Sequence, residues 1–351
     1  MLDLMGNVIS CKLYKKFGFP RVLPQILTFS VNNWCNSKCK TCNIWKYDSK
    51  EKMKEQLNLD EIEKIFSNFK KLNWITITGG EPFLRRDLSQ IVETICNKSN
   101  LKILTIATNG TMPEKIALDV KKILKSCSNL NFTVNISFDG IGSKHDEIRG
   151  LRGNFKKVIR TLNLLKKIRN PRLTVGINTV ISKYNVDNFF EVYEYVKNVL
   201  KPDSFIIEIA ERRAKLYNEN LAISPKHSDY KKILDFLIPE IQNSGLIKSE
   251  IVKNLRKEYY KFLLSRKPIK NFEGIASAYI MPNGEVWLSY SKRFIAGNLR
   301  EVDYDFRKLW FGKRAMKIRN IMDNDYKTML ANAFYVNFIC NPKNIFKVII
   351  G

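Results

Sequence analysis

The sequence gathers three thiols into one short stretch: Cys35, Cys39 and Cys42, at i, i+4 and i+7 within Asn33-Trp34-Cys35-Asn36-Ser37-Lys38-Cys39-Lys40-Thr41-Cys42. A single short loop at this spacing can wrap its thiolates around one corner of an iron–sulfur cubane. Three protein ligands leave the fourth iron open. A fully ligated cluster only passes electrons, whereas an open iron can chelate the amino and carboxylate groups of a bound molecule. The alternative metal is zinc, which would want a fourth Cys or His. The only histidines, His145 and His227, do not sit at finger spacing. The remaining cysteines (Cys11, Cys96, Cys127 and Cys340) are scattered, which reads as small buried hydrophobes, not as the disulfide framework of a secreted protein.

A second motif bears on the same chemistry. In Gly79-Gly80-Glu81-Pro82 two glycines allow close backbone approach, and Glu81 supplies negative charge suited to an ammonium. Combined with the cysteine triplet, this turn resembles the radical S-adenosylmethionine (SAM) superfamily. The resemblance implies one [4Fe–4S] cluster held by Cys35, Cys39 and Cys42, with SAM on its open iron. It places Gly79, Gly80, Glu81 and Pro82 at the methionine amino group, with Thr78 beside them. Ser137-Phe138-Asp139-Gly140, followed by His145-Asp146-x-x-Arg149-Gly150, is similar to the branch that usually carries a SPASM-type C-terminal extension. On that likeness Ser137 would contact the SAM ribose and Arg149 its carboxylate, with Asp139 in the same motif. Asn109 and Asn178 are further cofactor candidates; a turn role for the first and core satisfaction for the second are the alternatives. For Arg149 the alternative is a surface ion pair.

The implied activity starts with an external one-electron reductant. SAM is cleaved reductively, and a 5′-deoxyadenosyl radical takes hydrogen from a peptide, a lipid or a small metabolite. No residue announces which substrate, and no catalytic residue beyond the cofactor contacts stands out. Two other readings stay open: a degenerate protein that binds cluster or SAM without chemistry, and a zinc-stabilised nucleic-acid binder. Two departures from the family pattern matter. Thr41 stands where many members have an aromatic residue. In the segment from Gly274 to Trp310, which resembles the SPASM extension in its Pro282-Asn283-Gly284 hairpin, Ser289 stands where a cluster cysteine is expected.

The elements that must position these residues alternate. Short β-rich runs at Ile26–Val31, Trp74–Thr78, Ile103–Thr108, Phe132–Phe138, Leu173–Val180 and Phe205–Ile209 are separated by amphipathic stretches such as Pro113–Lys125 and Asn154–Ile168. Strands separated by helices predict βαβ units and a parallel sheet. Six units fit a partial (β/α)6 TIM-type barrel, with a small α+β extension at the C-terminal side. The expected divisions are a 1–24 segment, a 25–224 barrel and a 225–351 extension. The unusual motifs all follow strand C-termini, the end where barrels carry their chemistry.

Of 351 residues, 60 are basic and 34 acidic, a formal charge of +26 that favours anionic partners unless it reflects composition alone. No zinc-finger, helix-turn-helix or RNP signature supports nucleic acid, which is therefore an improbable partner. No apolar run reaches the roughly 18 residues of a membrane span, and no signal peptide is evident, so a cytoplasmic setting is expected. Apolar residues mix with lysine at both ends: Met1, Leu2, Leu4, Met5, Val8 and Ile9 at one, Phe334, Tyr335, Val336, Phe338, Ile339, Phe346, Val348, Ile349 and Ile350 at the other. Such segments either lie on an anionic membrane as a peripheral contact or pack on the barrel and close its ends.

Overall fold

Successive side chains on a strand point to opposite faces, so the residue pattern of each strand decides what it can line. In the computed structural model, which describes residues 2–47, 55–243, 245, 247, 249–322, 325–326 and 328–350, six parallel strands follow in chain order. They are β1 (Ile26–Ser30), β2 (Trp74–Thr78), β3 (Ile103–Thr108), β4 (Asn131–Ser137), β5 (Leu173–Ile181) and β6 (Ser204–Ile209). One row is apolar and fully buried beneath the connecting helices, as at Phe29, Ile77, Ile106 and Ile136. The other row is largely polar: Thr28, Thr76, Thr105, Asn135, Asn178 and Glu208 line an interior cavity of about 120 Å3. Parallel strands covered on both faces are ordinarily apolar throughout, so the polar inner row sets this lumen apart from a filled core. The connecting helices bury one stripe each. Pro113–Ser126 is typical, with Pro113 in its first turn and Ile116, Val120 and Ile123 inward.

The barrel is partial and stays open, because β6 does not pair with β1. β7 (Ile269–Lys270) leads to β8 (Ser277–Ile280), which instead takes the outer edge of β1 in parallel register, Ile26 opposite Ser277. β9 (Glu285–Trp287) and β10 (Ile295–Asn298) continue the sheet antiparallel, giving the order β10-β9-β8-β1-β2-β3-β4-β5-β6. The expected Pro-Asn-Gly hairpin is the β8–β9 turn, with Gly284 at φ 87°. β11 (Asp325–Tyr326) pairs only with β7. Ahead of β7 a further helix, Glu250–Ser265, is capped by Ser249 and buries Tyr259, Tyr260 and Leu263.

The helix Ala331–Ile339 enters the barrel from the side where the strands begin. Asn337 Oδ1 accepts from the Phe272 amide, ahead of β8, while at its other end Asn332 Nδ2 donates to Thr76 Oγ1 at 3.4 Å and the Ala331 amide to Glu208 Oε1 at 3.2 Å. Phe334, Tyr335, Val336 and Phe338 are buried, which removes them from any bilayer-facing surface. At the other terminus Cys11 and Tyr14 pack with Phe272, Val336 and Cys340, and Val8 is buried. Met1 lies outside the described residues, as do the side chains of Leu2, Leu4, Met5, Phe346, Ile349 and Ile350.

A charged contact fastens the extension to the first barrel helix, Leu59–Phe66. Glu61 completes a capping box with Asn58 and accepts from Arg300 Nε at 2.6 Å and Tyr304 OH at 2.8 Å. Burial alone would raise the Glu61 pKa, but these donors outweigh it and hold the group down at about 2, against an ordinary value of 4.5. A depressed folded-state pKa means the contact stabilises fully above pH 4.5 and is lost as pH falls towards about 2. Arg300→Ala is expected to cost about 1 kcal/mol at neutral pH, the pair being partly exposed. It should also flatten the acid limb across that window in urea melts; an acid limb as steep as the native one would refute the assignment.

Candidate active site at the mouth of the barrel

The cysteine loop leaves β1 and crosses the C-terminal ends of its neighbours, held from four sides. From β2, the Gly80 amide donates to Asn32 O at 3.0 Å, the Glu81 amide to Trp34 O at 2.7 Å, and Asn32 Nδ2 to Glu81 O at 2.8 Å. A Cβ on Gly80 would lie 2.0 Å from the Trp34 carbonyl oxygen, so only glycine fits. From β3, Asn109 Nδ2 donates to Asn36 Oδ1 at 2.7 Å and Ser37 Oγ at 3.0 Å and reaches Cys35 Sγ at 3.9 Å. From the short helix Ser143–Arg149, Ile148 O accepts from the Lys40 amide at 2.9 Å, and its capping Gly150 (φ 62°) lies where a Cβ would be 2.2 Å from Lys38 O. From the segment after β6, Asn218 Nδ2 donates to Thr41 O at 2.8 Å and Leu216 O accepts from the Asn43 amide at 2.9 Å.

Held this way, the three sulfurs face a shared, largely water-excluded space. Backbone amides of Ser37 and Ile44 point at Cys35 Sγ (3.4 Å) and Cys42 Sγ (3.5 Å). Burial pushes the Cys35 and Cys42 thiols up to about 12, with the Cys39 charge adding to both, and raises Cys39 as well. Arg149 opposes the rise at all three, and Lys215 does so at Cys42. Thiols so placed ionise when metal cations replace their protons. Among the described residues, no three His, Cys, Asp or Glu side chains close around a single metal ion. His145 is occupied in the core, its Nδ1 accepting from the Asp139 amide at 3.2 Å, and His227 starts a distant outer helix. Neither supplies the fourth ligand a zinc site would want.

The residues expected at the cofactor divide into two groups. Thr78 and Asn178 line the lumen, and Ser137 pairs in register with Asn178 at the end of β4. Asn178 Oδ1 and Arg149 Nε are buried without a hydrogen-bond partner, as is the Lys215 amine; these are polar groups that a bound polar ligand or charged cluster would satisfy. The second group builds the first. Glu81, expected beside the ammonium of a bound cofactor, is here engaged by the protein itself. Its oxygens accept from Thr108 Oγ1 (2.8 Å), the Asn109 amide (2.7 Å) and the Phe83 amide (3.2 Å), and burial raises its pKa to about 7. The carboxylate therefore fastens β3 to the Gly79-Gly80 turn, and buried Pro82 opens the 3₁₀ turn that completes it. Asp139 spends one oxygen on the Val180 amide (2.9 Å) and the other on Arg149 Nη1 (3.1 Å). Arg149 is thus in a buried ion pair, not a surface one.

Sequence reading missed Asn32, Asn218 and Lys215. The asparagines carry no motif, and their roles arise from backbone groups distant in sequence. Lys215 looks like any of the many lysines. It is 3% exposed, lies over the Tyr290 ring at 5.1 Å, and burial, assisted by Arg213 and opposed by Cys42, draws its pKa down to about 7. The segment after β6 thus contributes a cation to the site.

Gly80→Ala should push the Trp34 carbonyl away and misplace Cys35. The expected result is a stability loss of about 1–3 kcal/mol and a reconstituted iron content well below that of the native chain. Full iron and sulfide content in this variant would mean that the loop does not depend on the contact.

Residues 29–196 match the family model described as Radical SAM superfamily. The probable GTP 3′,8-cyclase of Methanococcus vannielii is 33% identical over 173 residues, 48% of this chain and 54% of that protein. The antilisterial bacteriocin subtilosin biosynthesis protein AlbA of Bacillus subtilis is 30% identical over 146 residues, 41% of this chain and 31% of that protein. The chain therefore spans about half or less of these relatives. In fold, Streptococcus suis SuiB, solved bound to S-adenosylmethionine, superposes with a TM-score of 0.62 over 89% of this chain and 71% of its own, at 17% identity. The matched sequence is the part that builds most of β1 to β5 and the loops at their C-terminal ends, where the three thiols meet the Gly-Gly turn; over residues 29–196 the chain matches the radical SAM superfamily.

Proposed function

We propose that this chain is a radical SAM enzyme with one [4Fe–4S] cluster on Cys35, Cys39 and Cys42. The observation that carries it is one loop pinned at the barrel mouth that bears Cys35, Cys39 and Cys42, Cys39 buried and the others half-buried, beside unsatisfied polar groups of Arg149, Asn178 and Lys215. When bound, the cluster and SAM supply reductive cleavage to a 5′-deoxyadenosyl radical, which takes hydrogen from substrate. The chain's own part is placement and charge. Arg149 and Lys215 offset the negative charge of thiolates and of a carboxylate-bearing ligand in a medium of low dielectric. Thr78, Ser137 and Asn178 offer polar contacts for the ribose and methionine ends of SAM. The helix Ala331–Ile339 closes the lumen from below, keeping solvent and competing hydrogen donors away from a reactive intermediate.

The substrate would meet the radical in the lumen between Asn135, Glu208 and Arg213, lined mainly by polar groups. Its volume of about 120 Å3 suits a small polar group, either a whole metabolite or one end of a larger molecule. The external reductant would dock beside the cysteine loop, where Lys38 and Lys46 are exposed around Trp45, favouring an acidic electron carrier. We take 25–224 as the catalytic barrel and 225–351 as a SPASM-like extension without a cluster of its own. Ser289 there donates to Glu273 at 3.1 Å, in place of ligating metal. Its oxygen-sensitive cluster would work in the reducing cytoplasm. No helix among the described residues is long and apolar enough to cross a membrane, and a peripheral contact would use the N-terminal helix Leu2–Phe17, whose Ile9, Leu13 and Phe17 are exposed.

Anaerobic reconstitution should yield about four iron per chain. Adding SAM and a strong reductant should release 5′-deoxyadenosine slowly even without substrate. Iron near about eight per chain, or a cluster retained after Cys35→Ala/Cys39→Ala/Cys42→Ala, would defeat the assignment. A full cluster with no 5′-deoxyadenosine would identify a cofactor-binding protein without chemistry.

A further inference from the structure

A cavity of about 590 Å3 lies away from the cysteine loop, beside the N-terminal ends of β1 and β8. Its walls are the end of the N-terminal helix, the segment before β8, and the helix Lys313–Ile321. Four cations line it: Lys15, Lys16, Arg21 and Arg319. The one carboxylate among the described lining residues is Glu273. It is occupied elsewhere, accepting from Tyr279 OH at 3.1 Å, Ser289 Oγ at 3.1 Å and the Tyr290 amide at 3.5 Å.

Arg319 is the unusual member. Its guanidinium stacks over Trp310 at 4.4 Å, with Tyr14 at 5.6 Å, and its Nε donates to Gly274 O at 2.6 Å. Both terminal nitrogens, Nη1 and Nη2, are buried without any hydrogen-bond partner. Two other arginines are answered by carboxylates, Arg149 by Asp139 and Arg213 by Glu211, whereas buried Arg256 donates to the Phe205 carbonyl. Burial correspondingly lowers the Arg319 pKa, whereas carboxylates and thiols lift Arg149 and Arg213 against the same cost. A charge removed from water without a counter-ion is strongly unfavourable. Two parallel N–H donors on a planar fork match the oxygens of a phosphate.

We propose that this cavity binds a phosphate ester, with Arg319 as its central contact and Lys16 and Arg21 at its rim. A cavity of about 590 Å3 has room for organic substituents beyond the phosphate itself. Two sources share that chemistry, a soluble phosphorylated metabolite and the headgroup of an anionic phospholipid. Exposed Leu13, Phe17, Phe19 and Met316 flank the cavity and suit the lipid. The site is remote from the cysteine loop, so its fate is independent of the radical chemistry.

Two measurements on the full chain decide it. The first is calorimetric titration with sn-glycerol 3-phosphate; the second is co-sedimentation with phosphatidylglycerol or phosphatidylcholine vesicles. Each is repeated on Arg319→Gln, which keeps a donor for Gly274 O, and on Lys16→Glu/Arg21→Glu, which alters only exposed residues. Binding of the soluble ester, weakened about tenfold or more by Arg319→Gln, assigns a metabolite. Binding to phosphatidylglycerol vesicles alone, with the same loss, assigns a lipid headgroup. One charge among 60 basic residues would hardly change non-specific adsorption, so a large effect of Arg319→Gln reports the site. Circular dichroism melts verify folding, and the rim variant must weaken binding too if Arg319→Gln unfolds. Binding in neither arm, or binding indifferent to both variants, overturns the proposal.

Discussion

The Gly80 backbone lies so close to the Trp34 carbonyl that a single added carbon would come within 2.0 Å of its oxygen. That approach brings the Gly-Gly turn after β2 onto the loop after β1 and so fixes where Cys35 can be. Asn109 then clamps the next residues of the loop from β3, and Gly150 and Asn218 do the same for its later half. Each clamp grips backbone or a short polar side chain, so the sulfurs remain unobstructed. Glu81 serves the same end from beneath, tying the tip of β3 to the turn. The most acidic-looking part of the motif is therefore a fastening.

Charge is arranged around this loop with equal economy. Three buried thiols would resist ionisation, and the nearest buried cations, Arg149 and Lys215, come from segments after β4 and β6. Asp139 orients Arg149 without fully satisfying it, leaving Nε turned to the site. The same physics, a buried cation lacking part of its hydrogen-bonding complement, recurs at Arg319 at the opposite end of the sheet, where no carboxylate among the described residues pairs with it.

Between these two regions lies a lumen whose polarity follows from strand alternation. Outward residues fill the layer beneath the helices, while Thr28, Thr76, Thr105 and Asn135 face inward. An open sheet with a polar interior would admit water from below. The helix Ala331–Ile339 blocks that route with Phe334 and Tyr335, and its first amide, that of Ala331, donates to Glu208. The C-terminal apolar run, which by composition could equally have faced a membrane, is consumed by this packing.

Local signals in the sequence determined a great deal here. Cysteine spacing, the Gly-Gly turn and six period-two runs separated by helical stripes were enough for the parallel barrel and for the position of the metal-binding loop. Those features are short-range: each depends on residues within about ten positions of one another, and periodicity or spacing exposes them. The tertiary structure decided what depends on long-range contact. It turned the Glu81 carboxylate inward, paired Arg149 with Asp139, attached β8 to the outer edge of β1 and brought Lys215 beside Cys42. It also buried the terminal nitrogens of Arg319 with no hydrogen-bond partner among the described residues. None of these has a local signature, because a side chain's partner and its solvent exposure are properties of the packed whole. A lysine that titrates near neutrality and one fully solvated are the same letter in the chain.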